Sequence, residues 1–302
     1  MSTSRRREPT IERRATPGAV VAKSEWRRSS GALHRWRPPT ALKATAALHL
    51  GGALAFAGSP VAWPWIAGTL IANHGVLLAG SLAPRSQLLG PNRVRLPAAS
   101  ARRREVALTF DDGPDPDLTP RVLDILETRN ATASFFCIGE RAAAHPRLVR
   151  EIVARGHSVE SHSHRHSAAF AFYGPWRLLR ELRSAQRSLA EAAGSAPIFF
   201  RAPFGTRNPM LDPTLARLGL AYVSWTRRGF DVVDRNAARV LGRLLRGLTA
   251  GDILLLHDGV AALEKAGEAT VLAVLPSLLE RLADQGLRPV SLRAACSDER
   301  DA

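Results

Sequence analysis

Two hydrophobic periods alternate along the chain from Arg104 onward, and nothing else among its 302 residues narrows the fold as much. Short β-branched or aromatic runs stand at residues 106–110, 133–138, 158–160, 198–201, 222–225, 253–256 and 289–292. Segments with helical spacing lie between them, as at residues 140–155, 175–193 and 237–248. Such alternation specifies a parallel sheet or barrel with helical crossovers. Seven strands in 197 residues fall short of the ~250 residues typical of an eight-fold barrel. The expected fold class is therefore α/β, a compact or incomplete (β/α) barrel of about seven strands over residues 104–293.

The N-terminal third follows other rules. Residues 1–105 hold 17 Lys+Arg against 4 Asp+Glu, whereas the rest of the chain holds 25 against 23. The formal charge of +15 is thus a property of the first third. The C-terminal part lacks the basic face that a nucleic-acid binder needs, which argues against that class of partner. Residues 1–40, rich in Arg, Ser, Thr and Pro without apolar periodicity, read as a disordered basic tail. Residues 61–83 then run 23 positions without Asp, Glu, Lys or Arg. As a helix they would cover about 34 Å, enough for a hydrocarbon core of about 30 Å. An earlier stretch, residues 42–58, sits at the lower limit for a span, and Ser59-Pro60 between them is a turn signal.

Residues 41–83 are therefore expected to hold one or two transmembrane helices, with a two-helix hairpin preferred and Trp63 and Trp65 at an interface. The segment starts too deep, behind too long an Arg-rich preface, for a simple cleavable signal peptide. Basic residues flank the pair on both sides and none lies in the turn, so the positive-inside rule puts both ends of a hairpin in the cytoplasm. A single span would instead put the C-terminal domain on the periplasmic or extracellular side of the inner membrane. Residues 84–103 read as a linker and 294–302 as a tail.

The two cysteines, Cys137 and Cys296, cannot make a disulfide scaffold or a Cys-rich zinc ribbon, so a metal would have to be held by His, Asp or Glu. Cys137 falls within a core run and reads as a small buried hydrophobe. Polar residues gather at the ends of the expected strands. Asp111 and Asp112 follow the first, His162, His164 and His166 the third, and Arg201 ends the fourth. Asp231 lies six residues past the fifth, and His257 ends the sixth. In a parallel barrel these positions share one rim, where active sites lie. Two of the histidines with one carboxylate would suit Zn²⁺ or a similar ion and leave positions open for water and substrate. Of the adjacent aspartates, one can bind the metal while the other serves as a general base, kept ionised by a cation such as Arg201. Water on a divalent ion has a lowered pKa, and His257 is placed to protonate a leaving group.

These residues resemble the motifs of the polysaccharide deacetylase family (NodB homology domain, carbohydrate esterase family 4) over residues 105–290. Thr109-Phe110-Asp111-Asp112-Gly113-Pro114, His162-Ser163-His164-Arg165-His166, Arg201-Ala202-Pro203-Phe204-Gly205 and Leu255-Leu256-His257 occur in the family's order. Residues 133–157 resemble the stretch between its first two motifs. The resemblance implies that Asp111 is the base, that Asp112, His162 and His166 hold a divalent metal ion, and that Arg201 orients the base. It makes His257 the acid, tuned by Asp231, with Asp234 a weaker candidate for that position. It gives the Phe204 N–H to the oxyanion, with Pro203, Gly205 and Leu255 as substrate-binding neighbours. Zinc is the first choice of ion, with Co, Ni or Mn as alternatives. His164 occupies a variable position and is not assigned to the metal. One block departs, because Val232 stands where the family usually has Trp, which puts the wall of the sugar groove in doubt.

The leading reading is a metal-dependent hydrolase that removes an N-acyl group, acetyl above all, from an amino sugar of a glycan or glycan precursor. A deformylase or deacetylase of a lipid-linked sugar is the alternative, motivated by the hairpin. A catalytically silent, membrane-anchored sugar-binding module is a third, opposed by the presence of every ligand and acid–base residue. The implied partners are an N-acylated amino sugar and a membrane. No sequence feature sets the oligomeric state.

Overall fold

The computed structural model describes residues 36–259 and 269–297. Most of the expected basic tail and the end of the chain lie outside these residues. The apolar runs form parallel strands β1 (Glu105–Asp111), β2 (Ser134–Cys137), β3 (Ser158–Ser161), β4 (Phe199–Phe200) and β5 (Ala221–Tyr222). These are followed by β6 (Arg227–Arg228), β7 (Ile253–His257) and β8 (Arg288–Val290). Seven of them run in the order β5-β4-β3-β2-β1-β7-β6, and β8 pairs the first residues of β1. The sheet curls into a half-barrel surrounded by helices.

β6 is the one strand no run foretold. Its arginines carry no β signal, and pairing with β7 imposes the extended conformation on them. β5 and β6 are the two ends of the sheet, and the expected linker lies across the gap between them. Arg93 bridges Val223 and Arg95 bridges Asp252, while Thr226 Oγ1 donates to the Val94 carbonyl at 3.0 Å. At the other end of the expected domain, Cys296 is buried beneath the short helix Leu292–Ala295.

Strand parity divides the side chains between two cores. Val106, Leu108, Phe110, Phe135, Cys137, Leu254 and Leu256 pack outward against the helices, whereas Ala107, Phe136, Phe199 and Ile253 pack inside the half-barrel. The helix Pro175–Ala193 shows how the outer layer is made. Leu178, Leu182, Ala185 and Leu189 recur on one buried face at helical spacing, and Gly194 ends the helix in the left-handed conformation.

Ahead of the sheet stand two antiparallel helices, Thr40–Gly58 and Trp63–Leu82, joined by a short 3-10 turn at Pro60–Ala62. Thr45 Oγ1 donates to Asn73 Oδ1 at 3.1 Å, the His49 and His74 rings meet edge-on at 5.2 Å, and Gly52 faces Ile66. By length and composition both are apolar enough to cross a membrane. Their apolar side chains are largely uncovered, with only Leu77 and Gly80 buried. The C-terminal end of the second helix packs on the half-barrel. Ser81 O accepts from the Arg207 amide at 3.0 Å, and Pro84 abuts Gly205, where an added Cβ would come within 2.9 Å.

Candidate active site

Alternation along the strands sets the site. Because Ala107, Ile253 and Phe199 face inward, so do Asp111, His257 and Arg201, two or four residues further along. His162 follows the same parity beyond β3, since Val159 packs outward. Asp111 and His257 are cross-strand partners at the C-terminal ends of β1 and β7. Sequence positions 39 to 146 residues apart thereby meet at one rim.

Arg201 is wholly buried and fixes Asp111. Its Nη1 donates to Asp111 Oδ1 at 2.6 Å and to Thr109 Oγ1 at 2.9 Å, while Nη2 donates to the Ser224 carbonyl at 2.9 Å. The guanidinium lies 4.0 Å over the Phe136 ring. Burial pushes its pKa down, and the Asp111 carboxylate pulls the other way.

Asp112 turns away from the strand with φ at +74°, so its carboxylate leaves Asp111 and meets the histidine loop. Its Oδ1 lies 3.3 Å from His162 Nε2 and 3.2 Å from His166 Nε2. All three ligand atoms lie within 4.8 Å of one another. Oδ1 is buried and makes no hydrogen bond among the described residues. Burial acts to raise the Asp112 pKa, but the His162, His166 and His257 rings outweigh it and hold the carboxyl well below the usual range. His162 Nδ1 is 2.9 Å from the Arg201 carbonyl, so the ring donates there and presents Nε2 to the cluster. Burial pushes the His166 pKa down to about 4, leaving a neutral imidazole able to ligate. A buried acceptor without a partner, beside two ring nitrogens, is the donor set of a divalent-ion site, and the residues fit one.

His257 is gripped twice by Asp231. Its Nδ1 is 2.9 Å from Oδ1, and its amide donates to Oδ2 at 2.8 Å. Burial works to lower its pKa, but Asp231, Asp111 and Asp112 outweigh it and the result is a rise. Asp234 does not share this position; it pairs with Arg239 and Arg243. The turn Pro203–Gly205 places Phe204 in the left-handed region, at φ +59°, with its ring 5.0 Å from that of His166. Gly205, at φ +72°, is walled in by Trp225 and Pro84 and has no room for a side chain. Leu255 is buried in β7 beside Thr109. Cys137 is buried with its thiol pKa pushed well up, chiefly by that burial.

Sequence reasoning missed the residues behind the rim. Glu181 accepts the His164 and Arg165 amides at 3.0 and 2.7 Å and so shapes the loop that carries His162 and His166. An acid within the buried Leu178–Leu182 stripe was its signal. Asp258 lies fully buried, accepts from Thr119 Oγ1 at 2.7 Å, and has its pKa pushed up to about 7 by burial and the nearby aspartates. It also explains a glycine, since a Cβ at Gly113 would come within 2.3 Å of Asp258 Oδ2.

Comparison with known proteins agrees with this geometry. Residues 98–223 match the family model described as Polysaccharide deacetylase. A chitooligosaccharide deacetylase of Bradyrhizobium sp. (strain ANU 289) is 38% identical over 157 residues, which are 52% of this chain and 71% of the relative. This chain belongs to the polysaccharide deacetylase family. A second family member, the chitooligosaccharide deacetylase of Sinorhizobium fredii (strain NBRC 101917 / NGR234), is 34% identical over 63% of this chain and 91% of its own. Among solved structures, a peptidoglycan N-acetylglucosamine deacetylase in complex with 4-naphthalen-1-yl-N-oxidanyl-benzamide superposes with a TM-score of 0.62. It is 27% identical and covers 68% of this chain and 92% of that one. Family membership makes the protein a hydrolase of carbon–nitrogen bonds other than peptide bonds.

Proposed function

We propose that the protein removes an acetyl group from an N-acetylated amino sugar, using a divalent ion held by Asp112, His162 and His166. The observation that carries this reading is the pairing of Asp111 and His257 across adjacent strand ends, at the same rim as the three-ligand cluster. The relatives named above, which act on chitooligosaccharide or peptidoglycan N-acetylglucosamine, support the choice of bond. Zinc suits a set of two imidazoles and one carboxylate. Bound there, the ion supplies Lewis acidity, polarising an acetamide carbonyl and acidifying water.

The chain's own residues do the rest. Arg201 occupies Asp111 Oδ1 and leaves Oδ2, 3.9 Å from His162 Nε2, to take the proton of the attacking water. The Phe204 N–H, in the left-handed turn beside His166, is assigned to stabilise the oxyanion. His257, its pKa raised by Asp231, donates from Nε2 to the amine nitrogen. The C–N bond breaks, acetate forms, and the amino sugar leaves with the proton from His257.

The two apolar helices anchor the protein in a membrane, with their uncovered Leu50, Leu54, Phe56 and Ile71 toward lipid. The uncharged turn between them and the basic residues on both flanks favour a hairpin with both ends cytoplasmic. Acetate release from N-acetylglucosamine oligomers by the zinc-loaded full chain tests the chemistry. Release is expected, lost on chelation and in Asp111→Asn. An Asp111→Asn protein as active as the native one would overturn it.

A further inference from the structure

A second feature opens one residue before Asp231, the partner of the acid His257. An open cavity of about 500 Å³ is lined by Phe230, Val233, Asp234, Arg235, Arg239 and Arg243. Asp234 is shared between two arginines. Arg239 Nη2 reaches Oδ1 at 2.9 Å and Arg243 Nη2 reaches Oδ2 at 2.7 Å. Three guanidinium groups against one carboxylate leave a surplus of two positive charges. Arg235 is exposed and makes no polar contact among the described residues. Phe230 is held at φ +60°, with the guanidinium groups of Arg228 and Arg243 4.7 and 5.9 Å from its ring centre. Arg228 Nε is buried without a hydrogen-bond partner among the described residues. Phe230 directly precedes Asp231, which orients His257. The cavity is thereby joined along the chain to the residue that orients His257.

Neutral glycan leaves this charge unanswered, whereas the oxygens of phosphate match guanidinium forks. The anchor adds a constraint. The second apolar helix ends at Leu82, Pro84 already touches Gly205, and Arg85 Nη1 reaches the Thr226 carbonyl at 3.4 Å. No free tether separates the helix from the active-site loops, so a membrane-anchored chain holds its rim at the membrane surface.

We propose that the substrate is an N-acetyl amino sugar carried on a membrane lipid through a diphosphate, and that the arginine pocket around Phe230 binds this diphosphate. The inference rests on the deacetylase reading above and specifies its substrate class. Phe230 offers an apolar face to the sugar, the arginines hold the phosphate oxygens, and the lipid stays in the bilayer.

The test uses the zinc-loaded full chain in detergent micelles with three substrates: an N-acetylglucosaminyl diphosphoryl polyprenol, UDP-N-acetylglucosamine and a neutral N-acetylglucosamine oligomer. The polyprenol substrate is expected to exceed both others at least tenfold in kcat/KM. Its KM should rise about tenfold in the double variant Arg235→Ala/Arg239→Ala. Inorganic pyrophosphate should inhibit the native protein competitively and lose potency in Arg235→Ala. Equal use of the neutral oligomer, or a polyprenol preference that survives the double variant, would overturn the pocket assignment while leaving the deacetylase reading intact. Equal use of the nucleotide sugar would overturn the lipid carrier alone. No acetate from any of the three would overturn the underlying reading as well.

Discussion

β3 has a histidine at each end, and the two are pushed in opposite directions. His157, just before the strand, is buried, accepts the Ala133 amide at Nδ1 and meets Phe135 edge-on. Burial, with Arg155 nearby, lowers its pKa to about 4. His162, just after the strand, is buried at least as deeply, yet its pKa is raised because Asp111 and Asp112 outweigh the burial. Burial alone makes a histidine neutral and structural; carboxylates at the same depth turn it toward protons and metal ions. The two ends of the half-barrel divide the same way, one holding the fold and the other assembling the chemistry.

The sharpest way to break this contrast is at the rim. Asp111→Asn keeps the shape and removes the proposed base, so kcat should fall roughly 10²–10⁴-fold. Elemental analysis should still find one ion per chain, whereas loss of both ion and activity would make Asp111 a ligand instead.

The next effect lies at the opposite end. His157 must stay neutral to fold, so its contribution is complete above pH 6.5 and is lost as the pH falls toward 4. That window corresponds to about 3 kcal/mol of unfolding free energy. Urea titrations of the native protein and His157→Gln at pH 7 and pH 4.5 should show a smaller acid loss in the variant. Equal losses would assign the acid sensitivity to other groups.

Asp231→Asn sharpens the contrast from the acid side. The charge that raises the His257 pKa is removed, so the proton is lost at lower pH and the alkaline limb of the rate profile moves downward. With the ring no longer oriented, kcat should fall on the order of 10²-fold. An unmoved limb would show that another group sets it. The arginine pocket carries the smallest expected effect, about tenfold in KM.

Much of this was legible in the chain before folding. The run at 106–110 and the pair Asp111-Asp112 announced a strand ending in acids, because alternation and turn chemistry are local properties. So was the H-x-x-x-H spacing that brings His162 and His166 together. β6 was not legible, since Arg227 and Arg228 become extended only through their pairing with β7. The supposed linker at 84–103 was read from composition, but it lies in the gap at the open edge of the half-barrel, and no local signal records that gap.

The sequence by itself determined the α/β class and the family, and it named Asp111, Asp112, His162, Arg201 and His257 as strand-end residues, because periodicity and motifs are written in neighbouring positions. Tertiary structure alone decided which histidine stays neutral and which is raised, why Gly113 cannot bear a side chain, and how four arginines gather around Phe230. Each of those depends on burial and on charges brought together from distant parts of the chain, and neither exists until the chain has folded.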